Sequence, residues 1–533
     1  MQKKIFIFSF FFLILCIGLL FLNNRPYYIY LSDVEPAYYM SAYLVMNNEL
    51  PVFYFHPATL FQYLSGLFLG IFSLNNLDQI NLSLNYLKLL AIIFNLISII
   101  FFLKISNRYK LKNDYKILIS CIFYPATLLY VTYFGVNSII LGLSLILSSI
   151  YIKNYFNNFN SLISLSIISG VCLNSKLIFL PCLIIIFINI LFNGNKFLNY
   201  KNFKKVVIYT VLTALTFFLV GFKMMHTYPE ILIKLFTRPE GNLGIYNYII
   251  VSFLALLITF FYSKNENILN NKIKNFFLFF FIIYFTFIIF KYWSIDQLPT
   301  FFRYQAAFYI FALILINLKF NLTSKFYNIF IPFVIILFSL THYSAYINTE
   351  NQKNISLSYK NFLQKKISND YYIYYWTGSG SDSYDAQNFI QWSDLRYGNS
   401  YIKKNEIINF ANKQIYNIRL DIKNYDISRN YKKKNNLKNL IKKLLIKYSI
   451  FPETKLKKNY YNVNTNIADK CLMLIFTKFE FDIEINKLKS NDLFVNEPIL
   501  FLEKISSKKL NMSKIYLGDR EFIYFTEKNK KCN

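Results

Sequence analysis

SLNYLKLLAIIFNLISIIFFL (83–103), KISNRYKLKNDYK (104–116) and ILISCIFYPATLLYVTYF (117–134) follow one another without a gap, and their alternation decides the fold. The first and third pieces are apolar and near the roughly 20 residues that a helix needs to cross a bilayer core. The middle piece is strongly basic. Positive loops stay on the cytoplasmic side, so the two apolar pieces read as helices that cross a membrane and share a basic cytoplasmic turn.

The same pattern runs outward in both directions. Residues 5–22 follow Lys3 and Lys4 and lead into Asn23-Asn24-Arg25-Pro26 with no small-x-small cleavage site, so they read as an uncleaved first span rather than a removed signal peptide. Further apolar runs lie at 138–152, 161–173, 177–192, 206–222, 246–262, 276–291, 301–318 and 327–346, and more basic loops at 196–205, 264–274 and 319–325. Placing every basic loop inside gives eleven spans, outer loops at 23–82, 134–138, 223–245 and 292–300, and an outer C-terminus. Residues 57–74 are apolar too, but a crossing there would turn every later basic loop outward. They are therefore expected to lie along the membrane face.

Composition agrees with this reading. The chain of 533 residues is 55% hydrophobic and only 16% charged, against about a quarter charged in a soluble domain. Its net charge of +30 accompanies abundant Lys, Asn, Ile, Phe and Tyr with few Gly and Pro, the residues of AT-rich codons. Codon bias thus accounts for much of the basic excess, and no nucleic-acid surface is expected. Cys16, Cys121, Cys172 and Cys182 fall in apolar runs as packing residues, with no CxxC or Cys/His metal spacing. Cys471 and Cys532 lie in the soluble part, where an oxidising compartment would permit a disulfide.

After Tyr346 the texture changes. Residues 347–533 are rich in Lys, Asn, Asp and Tyr, with alternating stretches at 371–375 and 471–476, a turn-rich Thr377-Gly378-Ser379-Gly380-Ser381-Asp382 and a basic helical patch over 432–447. The expected architecture is a polytopic α-helical membrane domain over 1–346, with 23–82 as its first outer loop. A soluble extracytoplasmic α/β domain follows over 347–533.

The candidate site residues lie on the outer side of this scheme. Ser32-Asp33-Val34-Glu35-Pro36 follows the first span. Two carboxylates at this spacing can share a divalent cation such as Mg2+ or Mn2+, or one can serve as a base while the other fixes a partner. The plain alternative is an N-cap before a helix begun at Pro36. An amphipathic stretch, Pro51 and then Phe55-His56-Pro57-Ala58-Thr59-Leu60 come next. This order resembles the first outer loop of the GT-C superfamily of membrane glycosyltransferases, which includes protein O-mannosyltransferases, aminoarabinose transferases and oligosaccharyltransferases. Those families carry an acidic pair after the first span and a His-Pro-Pro-Leu or Lys-Pro-Pro-Leu motif at the next helix. Here Ala58 stands in place of the second proline.

The resemblance extends through Tyr124-Pro125-Ala126, the turn Phe134-Gly135-Val136-Asn137-Ser138, the segment Gly170 to Pro181 that contains Lys176, and Phe302-Arg303-Tyr304. Asn137 stands where many members carry an Asp. The resemblance implies a sugar donor linked to polyprenyl phosphate and a glycan, lipid or protein acceptor. It also implies an inner or plasma membrane of bacterial type. A phosphate leaving group needs cations at the membrane interface, for which Lys176 and Arg303, and further Lys223 and Arg238, are placed at the right level. Asp33 is the expected base, with Glu35 helping to orient an acceptor or a metal ion. His56, Asn137, His226 and Tyr304 complete the expected substrate-binding set. An inverting transfer needs one such base.

Each residue also has a plainer reading: Lys176 as a snorkelling side chain, Arg303 as a span-end marker, His56 and His226 as structural. Two other membrane classes compete. A polymerase or ligase of lipid-linked glycans would place key arginines in a large outer loop. A transporter or flippase would carry ionisable groups within its spans, and the apolar runs here are almost devoid of them. A sensor that uses the outer domain is a fourth class.

Overall fold

Where water is absent, backbone N–H and C=O groups must pair within their own segment, which closes long apolar runs into helices. In the computed structural model of the chain, the described residues are 2–22, 35–46, 58–72, 80–131, 133–156, 159–191, 200–222, 298–320, 322–368, 371–375, 415–417, 471–477, 510–517 and 520–527. In chain order the helices are α1 (Gln2–Leu22), α2 (Glu35–Met46), α3 (Thr59–Ile71), α4 (Ile80–Arg108), α5 (Asp114–Ile122), α6 (Pro125–Val131), α7 (Ile140–Phe156), α8 (Phe159–Ser175), α9 (Leu180–Leu191), α10 (Tyr200–Val220), α11 (Leu298–Phe320) and α12 (Ser324–Ser368). The spans expected at 246–262 and 276–291 lie outside the described residues.

Among the described residues, five helical stretches are long and apolar enough to cross a membrane: Ile5–Leu22, Leu82–Arg108, Val136–Asn154, Asn202–Val220 and Ser324–Ile347. They point to a membrane-embedded helical protein. Ile5–Leu22 exposes most of its side chains, Phe6, Phe10 and Phe21 among them, whereas Val136–Asn154 is mostly buried. Exposed apolar surface on this scale suits lipid rather than water. By contrast α3 has 13 residues, about 20 Å of rise, and falls short of a bilayer core of about 30 Å.

The run at 117–134 is not one helix. Pro125 lacks an N–H and disfavours helical geometry in the residue before it, so α5 ends at Ile122 and α6 begins at Pro125. A short 3-10 turn, Val136–Ile139, then precedes α7. Small residues set the closest helix contacts. A Cβ on Gly170 of α8 would lie 2.6 Å from the Thr213 carbonyl oxygen of α10, and one on Gly66 of α3 would lie 2.6 Å from the Ala42 carbonyl oxygen of α2. Hydrogen bonds reinforce the α8–α10 seam: Tyr209 donates to Ser169 Oγ at 2.9 Å and Asn174 Nδ2 to the Phe217 carbonyl at 3.2 Å. Close backbone approach plus interhelical polar bonds is how apolar helices associate in lipid.

Two basic stretches expected on one side of the membrane meet at one end of the bundle. Asn317 Nδ2 donates to the Lys112 carbonyl at 2.7 Å, Asn113 Nδ2 to the Leu322 carbonyl at 2.8 Å, and Lys116 Nζ to Asn328 Oδ1 at 3.1 Å. Tyr327 completes the clasp by donating to Asn317 Oδ1 at 3.1 Å.

The chain divides into two compact units, Met1–Asn24 with Ser41–Phe72 and Ser83–Tyr346, and Arg25–Met40 with Ser73–Leu82 and Ile347–Asn533. The second holds a five-stranded sheet of β1 (Tyr371–Tyr375), β2 (Ile415–Asn417), β3 (Cys471–Thr477), β4 (Leu510–Leu517) and β5 (Arg520–Glu527), in the order β2-β1-β3-β5-β4. β1 pairs parallel with β2 and β3, and β5 pairs antiparallel with β3 and β4. Both alternating stretches noted in the sequence are thus strands. Met473, Ile475, Phe522 and Ile523 are buried in the sheet, and Phe362 of the polar half of α12 packs its ring 5.8 Å from Tyr524. Cys532, the turn at 377–382 and the patch at 432–447 lie outside the described residues.

Candidate functional site

At the end of the bundle opposite the Lys112–Asn317 clasp, three of the expected site residues converge. Asn137 sits in the 3-10 turn before α7, Lys176 is the extended residue between α8 and the 3-10 turn Leu177–Phe179, and Arg303 lies near the start of α11. Their exposures are 7%, 4% and 8%. Lys176 Nζ donates a hydrogen bond to Asn137 Oδ1. Its ammonium therefore turns into the protein, which differs from the snorkelling alternative.

Asn137 and Arg303 line one narrow cavity of about 10 Å³. Thr127 and Tyr130 supply its remaining polar wall, and Ala126, Ile140, Leu141 and Ala306 the apolar one. Thr127 and Tyr130 stand three residues apart on α6 and so face the same way. The Arg303 guanidinium carbon lies 5.9 Å from the Tyr130 ring centroid, within cation–π range. Thr127 Oγ1 is buried without a hydrogen-bond partner among the described residues. The start of α11 is held by Tyr124, which donates to the Phe302 carbonyl at 3.1 Å and stacks on Tyr309 at 4.3 Å. In a low-dielectric setting, a guanidinium, a threonine hydroxyl and an amide on the wall, with the Lys176 ammonium behind that amide, suit a small anionic or polar group.

The other expected side chains are not among the described ones. Asp33, His56, Lys223, His226 and Arg238 lie outside the described residues. Glu35 is the first residue of α2, just before Pro36, but its side chain lies outside them. Tyr304 follows Arg303 on α11, with its side chain likewise outside. Among the described residues no three His, Cys, Asp or Glu side chains gather as metal ligands.

Sequence reading missed Thr127, Tyr130 and Lys88. Lys88 lies inside the apolar run of α4 and is 7% exposed, so that run does carry a buried charge. An ionisable side chain within an apolar span was a usable signal. No family model, curated protein or solved structure matches the chain.

Proposed function

We propose that the chain is a membrane glycosyltransferase that moves a sugar from a polyprenyl-phosphate donor to an acceptor at the outer face. The observation that carries this reading is the meeting of Asn137, Lys176 and Arg303 at the bundle end away from the basic clasp. With the basic loops cytoplasmic, that end faces outward. The cavity, about 10 Å³, is close to the room that a single water needs.

In the proposed reaction the acceptor oxygen attacks the anomeric carbon. The bond from that carbon to the phosphate oxygen breaks, and its electron pair leaves on the phosphate. Lys176 and Arg303 stabilise the charge that develops there. The acceptor proton passes to Asp33, with Glu35 orienting the acceptor or a divalent cation. The test is transfer of radiolabelled sugar in membranes that contain the wild type, Arg303→Ala or Asp33→Asn. Each variant is expected to lose about 100-fold or more in rate. Undiminished transfer by Asp33→Asn removes its role as base, and by both variants the reading itself.

A second reading, a carrier or flippase of a lipid-linked sugar, draws on Lys88, since buried charge within a span is typical of transport pathways. Movement of a labelled lipid between leaflets of proteoliposomes, without sugar transfer, would favour it.

A further inference from the structure

We infer that Asn95 of α4 is a positioning residue that holds Asn137 against Lys176. Its relevance to sugar transfer rests on the reading above; its structural role does not. Asn95 is fully buried in the apolar face of α4. A side-chain amide in such a place is costly unless its donors and acceptor are all used. Its Nδ2 donates to the Ala91 carbonyl at 2.8 Å and to the Ser138 carbonyl at 2.7 Å, and its Oδ1 accepts from the Gly142 N–H at 2.7 Å. Two carbonyls on one side and an N–H on the other settle the orientation of the amide.

The choice of partners is informative. Ser138 and Gly142 are four residues apart, so their carbonyl and N–H are the pair that an uninterrupted α-helix would join. Asn95 reaches across from another helix and serves both groups at the point where the 3-10 turn Val136–Ile139 passes into α7. An inserted side chain of this kind keeps a helix from closing its own ladder. The segment that carries Asn137 is therefore held in its turn from outside. Gly142 permits the approach, since a Cβ there would lie 2.6 Å from the Phe94 ring and 2.8 Å from Ser98 Oγ. Asn137 in turn accepts from Lys176 Nζ. The hydrogen bonds of the Asn95 amide go to Ala91, Ser138 and Gly142, and its side chain does not line the cavity, so it acts through the turn.

The experiment uses the full chain in detergent micelles. Acetylation of Lys176 by acetic anhydride is followed by mass spectrometry, with the exposed Lys110 and Lys325 as internal references. Asn95→Leu removes all three hydrogen bonds while keeping the number and branching of side-chain heavy atoms, and Lys176 labelling is expected to rise on the order of tenfold relative to the references. Asn95→Asp, with its carboxyl protonated in apolar surroundings, keeps one donor for the Ser138 carbonyl and an acceptor for the Gly142 N–H, gives up only the local bond to Ala91, and is expected to keep Lys176 protected. Ser149→Ala, which deletes a buried hydrogen bond elsewhere on α7, is expected to leave Lys176 protected. Should Asn95→Leu not fold, Asn95→Ser is the loss variant in the same assay. A folded loss variant whose Lys176 stays as protected as in the wild type overturns the inference. Absence of sugar transfer in the wild type would instead remove the enzymatic reading and leave the labelling result standing.

Discussion

Lys176 brings an ammonium to a place where its neighbours are protein rather than water, and Arg303 does the same from another helix. The two side chains are reached from positions far apart in the chain, and each is fixed by a neutral partner: Asn137 for Lys176, the Tyr130 ring for Arg303. The partner decides what a substitution costs. Arg303→Lys keeps the charge but loses the planar guanidinium that lies over Tyr130 and grips a phosphate in two places. If the site holds a phosphate, that exchange is expected to lower sugar transfer about tenfold, through a cation–π loss on the order of 1 kcal/mol together with the lost second hydrogen bond. Rates in membranes from the wild type, Arg303→Lys and Arg303→Ala would fall in that order. Equal rates for wild type and Arg303→Ala would show that the guanidinium has no part in the reaction.

At the scale of elements, glycine marks where helices touch. Gly170→Ala must push a methyl into the backbone of α10, against the Thr213 oxygen at 2.6 Å, the Thr216 Cβ at 2.6 Å and the Phe217 nitrogen at 3.0 Å. Backbone atoms yield less than a flexible side chain, and overpacking of this kind costs about 1–3 kcal/mol. Gly18→Ala on α1 meets nothing within 4 Å among the described residues. Thermal unfolding in detergent is expected to show a lower midpoint for Gly170→Ala and an unchanged or slightly raised one for Gly18→Ala. The same midpoint for both would mean that α8 and α10 separate more readily than this packing implies. Much of the element structure was legible in the residues. The alternation at 371–375 and 471–476 announces β1 and β3, whereas 117–134 reads as one apolar span and its break at Pro125 emerges only in the fold. The 3-10 turn Val136–Ile139 was not legible, because what sustains it is an amide 43 residues earlier in the chain. Lys88 was hidden for a different reason. One lysine among apolar neighbours hardly lowers the average hydropathy of a span, yet it remains a full charge to bury.

For the whole molecule, the informative feature is polarity from end to end within the helical unit. α11 carries Arg303 near its start and Asn317 near its end, about 20 Å apart along the axis. Among the described residues, the basic loops at 104–116 and 319–325 meet at the Asn317 end and the Asn137–Lys176–Arg303 group lies at the other. Charge bias in the loops made this polarity readable in advance, whereas the contact between Lys176 and Asn137 depends on tertiary packing that no local pattern encodes. A bilayer wrapped around such a unit would hold the cationic group at one of its surfaces, where a lipid phosphate lies. The most direct test is therefore the binding of undecaprenyl phosphate to the purified full chain, read by native mass spectrometry. The wild type is expected to retain the lipid, and a Lys176→Met, Arg303→Ala double variant to bind it at least about tenfold more weakly. Equal retention by the two proteins would contradict a phosphate site at these residues.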